Sequence, residues 1–263
     1  MISSMQRAVI EKDIKIVVSN KRVFPVLLIV PLILTVILPS VFILTVYFIP
    51  DGLEDFMPML EMLPEVLLTG DVRQDVINLI VSRILPNFFL LIPIMAATVM
   101  AASSFAGEKE KRTLETLLCC PLSIKQIFQA KILASFVMSM IVSFSSFAVM
   151  TAAVQTEVYL ISGSFVPYGV SWLVTMLLFS PAVSLAAVSL IVQSSAKAKT
   201  ADEAQQRAVF LIIPVIALIA GQFTGLISAG TVFYAVLGVL SALAALALLN
   251  RSFRKFTYEN LLQ

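Results

Sequence analysis

Six long apolar blocks constrain this chain most strongly, because each is long enough to cross a lipid bilayer. About 20 helical residues, rising about 1.5 Å each, span a hydrocarbon core of about 30 Å. Backbone polar groups find no water in lipid, so each block is expected to be a helix and not an open strand. The sequence therefore predicts an all-α polytopic membrane protein. Its six transmembrane helices are expected at residues 24–49, 84–105, 128–154, 169–193, 208–227 and 231–249.

The composition agrees with a membrane protein and excludes an ordinary soluble domain. Hydrophobic residues form 59% of the 263 residues, and charged residues form 13%. Soluble domains carry about 25% charged residues. Prolines occur inside four of the apolar blocks. Each removes one helix hydrogen bond and can kink its span, either as a hinge or as ordinary packing in the bundle. These prolines are Pro31, Pro39, Pro93, Pro181 and Pro214.

Basic residues are distributed very unequally between the segments that join the apolar blocks. If the N-terminus is cytoplasmic, all 18 Lys and Arg residues except Arg73 and Arg83 fall on the inner side. The positive-inside rule then predicts a multi-pass plasma-membrane protein with both termini in the cytoplasm and an extracytoplasmic loop at 50–83. The basic inner rim is therefore interpreted as a topology signal and not as a nucleic-acid binding patch.

Residues 1–22 are predicted to form an amphipathic helix that lies along the inner leaflet. They are too polar for a signal peptide, and the apolar block behind them is too long. A plain membrane anchor is the alternative. Asp13 interrupts the apolar arc of the helical wheel. The charged arc holds Arg7, Glu11, Lys12 and Lys15, and the apolar arc holds Met5, Val9, Ile10, Ile14, Ile16 and Val17.

The sequence argues against several kinds of chemistry in this chain. It contains no His, and its two cysteines, Cys119 and Cys120, have no further Cys or His with which to form a metal site. There is no G-x-x-x-x-G-K-[ST] phosphate-binding loop. No carboxylate is expected near the middle of a span, since Lys131, Glu157 and Arg83 are expected to reach the membrane interface. We therefore predict no catalytic residue, no metal and no cofactor in this chain. The methionines of the outer loop are interpreted as part of a short surface hairpin.

A charged segment at 106–127 separates the second apolar block from the third. Its sequence from Gly107 to Pro121 is Gly-Glu-Lys-Glu-Lys-Arg-Thr-Leu-Glu-Thr-Leu-Leu-Cys-Cys-Pro. Pairs of opposite charge at i,i+4 stabilise a short exposed helix, and three leucines share one face of it. Such a helix can dock into a groove of a soluble partner.

This segment closely resembles the first long cytoplasmic loop of ABC-2-type transporter permeases. There, a Gly-Glu-(Lys/Arg)-Glu-x-x-Thr-Leu-Glu-x-Leu-Leu-x-x-Pro motif contacts the ATPase subunit. One departure is Arg112-Thr113, where many members have Gly-Thr. Residues 194–206 are similar to a segment of sodium-exporter-like members, and the resemblance covers essentially the whole chain. It implies that the ATPase-coupling residues are Gly107, Glu108, Glu110, Arg112, Thr113, Leu114, Glu115, Leu117, Leu118 and Pro121.

The resemblance implies the membrane subunit of an ABC exporter, with a coupling helix between spans 2 and 3. Two permease copies, identical or related, would associate with two P-loop ATPase subunits, which bind ATP and Mg and hydrolyse the ATP. The cargo stays open between sodium or other cations and drugs, lipids or peptides. The alternative from another class is a non-transporting scaffold, or an assembly subunit for an extracytoplasmic enzyme.

A serine stripe follows one face of the third apolar block. Small polar residues at this spacing favour close helix packing, including packing against a second copy. The alternative is a polar lining for a substrate path. The stripe consists of Ser135, Ser139, Ser143 and Ser146.

Overall fold

The computed structural model describes residues 3–21, 23–49, 53, 56–61, 68–110, 113, 120–195, 198, 200–206, 209–224 and 230–255. These residues form helices and connecting turns, with no strand among them. Six helical stretches, called spans 1 to 6 in chain order, are long and apolar enough to cross a membrane, which confirms the predicted fold class. The spans are Val23–Phe48, Val72–Glu110, Ile124–Ser162, Val170–Ser195, Ala201–Phe223 and Thr231–Ser252.

Several of these spans are composed of shorter elements. Span 2 is helical at Val72–Leu79, Ile80–Ile84, Leu85–Phe89 and Leu91–Glu110. Span 5 consists of the described helices Ala201–Gln206 and Val209–Phe223, and the helix of span 6 continues to Lys255. A four-residue helix, Met57–Leu60, lies between spans 1 and 2.

The N-terminal helix, Ser4–Val18, begins at a capping box formed by Ser3 and Gln6. In such a box each residue satisfies the backbone N–H of the other, which fixes the start of the helix. The buried face includes Val9, Asp13 and Val17, and it packs mainly against span 3. Asp13 therefore lies within the packed face, where the helical wheel had shown an interruption. The position of this helix at a membrane interface stays a prediction.

Span 2 begins at Val72, whereas the apolar pattern placed its start at 84 and assigned the preceding residues to a loop. The side chain of Asp71 accepts a hydrogen bond from Arg73 N at 3.0 Å and caps the helix. Asp75 is buried and accepts two further bonds, from Thr69 N at 2.8 Å and from Thr69 Oγ1 at 2.7 Å. Capping and polar contacts thus support a helical turn that apolar content alone does not indicate.

Three spans widen into one π-helical turn shortly before a proline. Proline lacks a backbone N–H, and its ring crowds the carbonyl four residues earlier, which normally ends or kinks a helix. In each π turn the following N–H bonds the carbonyl five residues back, as Leu38 N does with Ile33 O. The helix therefore continues past the proline. The turns Ile33–Ile37, Ile80–Ile84 and Thr175–Phe179 precede Pro39, Pro86 and Pro181.

Span 2 is the central helix of the bundle. In its most apolar stretch 83% of the residues are buried, compared with 28% in span 1, 13% in span 5 and 17% in span 6. Spans 3 and 4 pack along it. Part of the segment between spans 1 and 2 also enters the core, since Phe56, Met59 and Leu60 are buried and the Phe56 ring lies 6.3 Å from that of Phe42. Span 2 therefore packs against most of the other helices of the bundle.

Candidate functional site

The predicted coupling segment begins at the C-terminal end of span 2. Gly107, Glu108 and Glu110 belong to the last turns of this helix, and Thr113 N donates to the Glu108 carbonyl at 3.0 Å. Pro121 lies in an exposed bend just before span 3. The predicted coupling residues Arg112, Leu114, Glu115, Leu117 and Leu118 lie outside the described residues, and the coupling helix stays a prediction.

Glu108 belongs to a cluster of four charged side chains, which we call the charge quartet: Lys12, Asp13, Glu108 and Lys131. Lys131 Nζ lies 3.3 Å from Asp13 Oδ2 and 2.7 Å from Glu108 Oε2. Lys12 Nζ contacts Glu108 Oε1 and lies 3.3 Å from Asp13 Oδ1. Two positive and two negative charges thus join the N-terminal helix, span 2 and span 3.

Three members of the quartet are almost completely buried. The side chains of Lys131, Asp13 and Glu108 are 1%, 2% and 8% exposed, whereas that of Lys12 is 40% exposed. A buried charge is tolerated only when partners replace the water that it loses. Here each buried charge has an opposite charge within contact distance, so the cluster is electrically balanced.

Ser104 of span 2 completes the surroundings of Lys131. Lys131 Nζ donates to the Ser104 carbonyl at 2.6 Å and to Ser104 Oγ at 3.2 Å. The Ser104 hydroxyl in turn donates to Asp13. The Phe105 ring lies beneath the ammonium, 5.4 Å from its centroid. Lys131 is therefore held by hydrogen bonds and by a cation–π contact in addition to the ion pairs.

Lys12 is the partly exposed member, and its pKa reflects two opposing effects. Burial by itself lowers the pKa of a lysine, because it disfavours the charged form. The hydrogen bond to Glu108 and the negative charges of Asp13 and Glu108 outweigh this effect and raise the pKa of Lys12 above its ordinary value of 10.5. The ammonium is thus stabilised in its charged form.

The sequence interpretation of Lys131 was wrong. The side chain was expected to reach the membrane interface, but it is buried inside the bundle. The unexpected partner is Asp13, which lies 118 residues away in the sequence. Two signals were present in the sequence: an acidic residue in the apolar arc of the first helix, and a lysine inside an apolar span. When each segment of the sequence is considered separately, nothing indicates that Asp13 and Lys131 contact each other.

Glu110 connects span 2 to the second segment that carries the family resemblance. The backbone N–H of Ala201 donates to Glu110 Oε2 at 3.1 Å. This N–H opens the helix Ala201–Gln206, which packs beside span 2 and buries Ala204. The two segments that the sequence singled out therefore meet at the C-terminal end of span 2.

A cavity of about 190 Å³ adjoins the charge quartet on the side of Lys12 and Glu108. Gly107 faces it, and a Cβ at Gly107 would meet only ordinary contacts, the nearest being Ala102 O at 3.8 Å. The described residues contain no group of three or more acidic or Cys side chains suited to a metal ion. The cavity is lined by Lys12, Asp13, Ile16, Val17, Ser103, Ser104, Gly107, Glu108 and Thr113.

The serine stripe of span 3 is buried inside the chain. Ser139 Oγ donates to the Pro93 carbonyl of span 2 at 3.0 Å, and Ser184 of span 4 donates to Ser139 Oγ at 2.8 Å. Ser135 and Ser143 donate to carbonyls of their own helix. Ser146 is buried as well. These contacts are those of close helix packing within one chain, so this face is not free to pair with a second copy. A substrate path along the stripe stays a prediction.

Comparison with known proteins gives one match. A family model described as ABC-2 family transporter protein matches residues 69–250. The matched range extends from just before span 2 nearly to the end of span 6, and it includes the segment that follows Glu108. No curated protein and no solved structure matches the chain.

Proposed function

The chain belongs to the ABC-2 family of transporter proteins, and from this membership we propose that it is the permease subunit of an ABC exporter. The family supplies the membrane component of ABC transporters, which normally has no ATPase site of its own. In our proposal a separate P-loop ATPase binds ATP and Mg, and the permease forms the path for the cargo. Two permease copies and two ATPase chains make up the working unit.

The central position of span 2 is the observation that best supports this function. Span 2 is the most buried of the six spans, and the proposed ATPase-contact segment follows directly from its inner end. A displacement at residues 108–118 therefore acts on the helix against which spans 3 and 4 pack. Rigid-body rocking of the two permease copies would then open a path between them.

The proposed membrane orientation follows from the distribution of charge. Both termini, residues 106–127 and residues 194–206 face the cytoplasm, and residues 50–83 face the outside, because nearly all basic residues fall on the first side. Within this orientation the charge quartet and the Glu110–Ala201 contact lie at the cytoplasmic end of the bundle, where a soluble ATPase has access.

Substitutions in the contact segment test the proposed coupling. We expect Leu114→Asp to abolish co-purification of the ATPase while the permease still inserts, because a buried unpaired charge in an interface costs about 2–5 kcal/mol. Glu115→Lys is expected to weaken the same contact. Glu61→Lys, on the opposite side of the proposed membrane, is the matched control and is expected to co-purify normally. Co-purification of the ATPase with Leu114→Asp at wild-type yield would contradict the proposal.

A further inference from the structure

We propose that the charge quartet has a fixed half and a movable half. Asp13 and Lys131 anchor the N-terminal helix to the bundle, and Lys12 with Glu108 forms a tether that moves with the ATPase-contact segment. Asp13 and Lys131 are then positioning residues, which act by holding the N-terminal helix in register with Glu108. The movable half rests on the proposed function, whereas the anchor does not.

The charge balance of the quartet allows this division. The N-terminal helix contributes one charge of each sign, Lys12 and Asp13, while span 2 contributes Glu108 and span 3 contributes Lys131. If the contact between Lys131 and Glu108 is lost, the pairs Lys12–Glu108 and Asp13–Lys131 both remain neutral. No buried charge is left without a partner, so the separation avoids the large penalty of an isolated buried ion.

The hydrogen bonds distinguish the contact between Lys131 and Glu108 from the other contacts of the quartet. Lys131 donates to Asp13, and Lys12 donates to Glu108. The approach of Lys131 Nζ to Glu108 Oε2 at 2.7 Å is an ion pair in which Oε2 has no hydrogen-bond partner. Of the three contacts that join different helices within the quartet, this is the one that is not also a hydrogen bond, although its N–O distance is shorter than the 3.3 Å between Lys131 and Asp13. In our proposal it is the contact that separates.

The fixed half, Asp13 and Lys131, and the movable half, Lys12 and Glu108, also differ in their surroundings. Lys131 is fixed by Ser104 and by the Phe105 ring, and its side chain is 1% exposed. Lys12 is 40% exposed and, like Glu108, lines the cavity of about 190 Å³. Gly107 lies between Ser104 and Glu108, and a glycine inside a helix loosens the turn around it. The last turn of span 2 thus has space and backbone freedom. Asp13 also lines the cavity, but it is held by hydrogen bonds from Lys131 and Ser104.

The anchor can be tested without any ATPase, by a disulfide between the N-terminal helix and span 3. Val9 and Ala130 pack in one buried cluster, so Val9→Cys with Ala130→Cys reports whether the helix is docked. The background carries Cys119→Ser and Cys120→Ser. Lys131→Met leaves two carboxylates with one lysine, and we expect the docking equilibrium to fall roughly 100-fold. Lys131→Met with Asp13→Asn restores neutrality and is expected to recover docking to within about threefold of wild type.

The control for the cross-linking test is a lysine of the same helix that lies outside the charge quartet. Lys125→Met removes an exposed lysine from the same helix and is expected to cross-link as the wild type does. Wild-type cross-linking of Lys131→Met would overturn the anchor. Failure of the double variant to recover would overturn it too, because the loss would then come from packing and not from charge balance.

The tether is tested by ATP hydrolysis in the assembled complex. Lys12→Met with Glu108→Gln leaves the anchor neutral, so cross-linking is expected to persist. The stimulation of ATP hydrolysis by the permease is expected to fall at least about tenfold, since the ATPase-contact segment is then no longer tied to the anchored N-terminal helix. Full stimulation in this variant would overturn the movable half. If the wild-type permease gives no stimulation, the proposed function and the tether both fail, while the cross-linking result still decides the anchor.

Discussion

At the scale of single residues, Lys12 is the member of the charge quartet that solvent reaches. The raised pKa of Lys12 determines the pH range over which its charge contributes to stability. A lysine whose folded-state pKa lies above its ordinary value of 10.5 contributes stability that is complete below 10.5 and is lost as the pH rises through the folded-state value. The sequence also contains no His, so no imidazole titrates near neutral pH.

We therefore expect docking of the N-terminal helix to be independent of Lys12 titration between pH 6 and 9 and to weaken above about pH 10.5. Spin labels at Glu11→Cys and Gln129→Cys, both exposed positions, would measure the distance between this helix and span 3. Loss of the short distance between the two spin labels from pH 7 to 9, in the protein with Lys12 but not in Lys12→Met, would contradict the raised pKa of Lys12.

At the scale of elements, the π turn of span 2 depends on side chains from two other spans. Leu85 N donates to Ile80 O, which deprives the Val81 carbonyl of its usual helical partner. Trp172 Nε1 of span 4 donates to Val81 O at 2.8 Å, and Tyr234 of span 6 donates its hydroxyl to Arg83 O at 2.7 Å. Both side chains are buried. The proline-associated turn is thereby tied to spans 4 and 6.

We predict that Trp172→Phe and Tyr234→Phe each destabilise the bundle by about 1–3 kcal/mol. The first leaves the buried Val81 carbonyl short of a donor, and the second removes the buried hydroxyl that donates to Arg83 O. Tyr159→Phe, at an exposed position, is the matched control and is expected to change little. Thermal unfolding in detergent would measure the differences. Equal melting temperatures for all three variants would show that these hydrogen bonds do not support the turn.

The same elements show how far the sequence could predict this fold. Apolar block length identified the six spans, because spanning lipid requires that length and little else. It missed the helical turns at Val72–Leu79, where Arg73, Asp75 and Asn78 lower the apolar content while Asp71 caps the helix. The coupling motif drew attention to Glu108 and Glu110, whose role in coupling stays a prediction, and it could not indicate Asp13 or Lys131. Their pairing arises only when the N-terminal helix packs against span 3.

At the scale of the whole molecule, the proposed orientation predicts which positions are reached from each side. Single cysteines at Glu61→Cys and Asp202→Cys, in a background with Cys119→Ser and Cys120→Ser, are expected to react from opposite sides. Both positions are exposed. An impermeant thiol reagent applied to intact cells should label the first position only. Labelling of Asp202→Cys in intact cells would show that the orientation is the reverse of the proposed one. The charge quartet would then lie on the side of the membrane opposite to the ATPase.

We propose that this chain transports only in combination with a separate ATPase. Spans 1, 5 and 6 bury little of their apolar surface within one chain, which suits lipid contact and association with a second copy. Among the described residues, the buried charges of the quartet are already paired with one another. This arrangement favours a mechanical input over an ion gradient as the source of energy.

Reconstitution into liposomes tests this dependence on an ATPase, with radioactive sodium and a fluorescent cationic dye as tracers. We expect that the chain alone neither hydrolyses ATP nor moves either tracer when only an ion gradient is applied. Together with its ATPase it should hydrolyse ATP, and Glu115→Lys should reduce this hydrolysis. Tracer transport by the chain alone, driven by an ion gradient, would instead show that the protein is a secondary carrier.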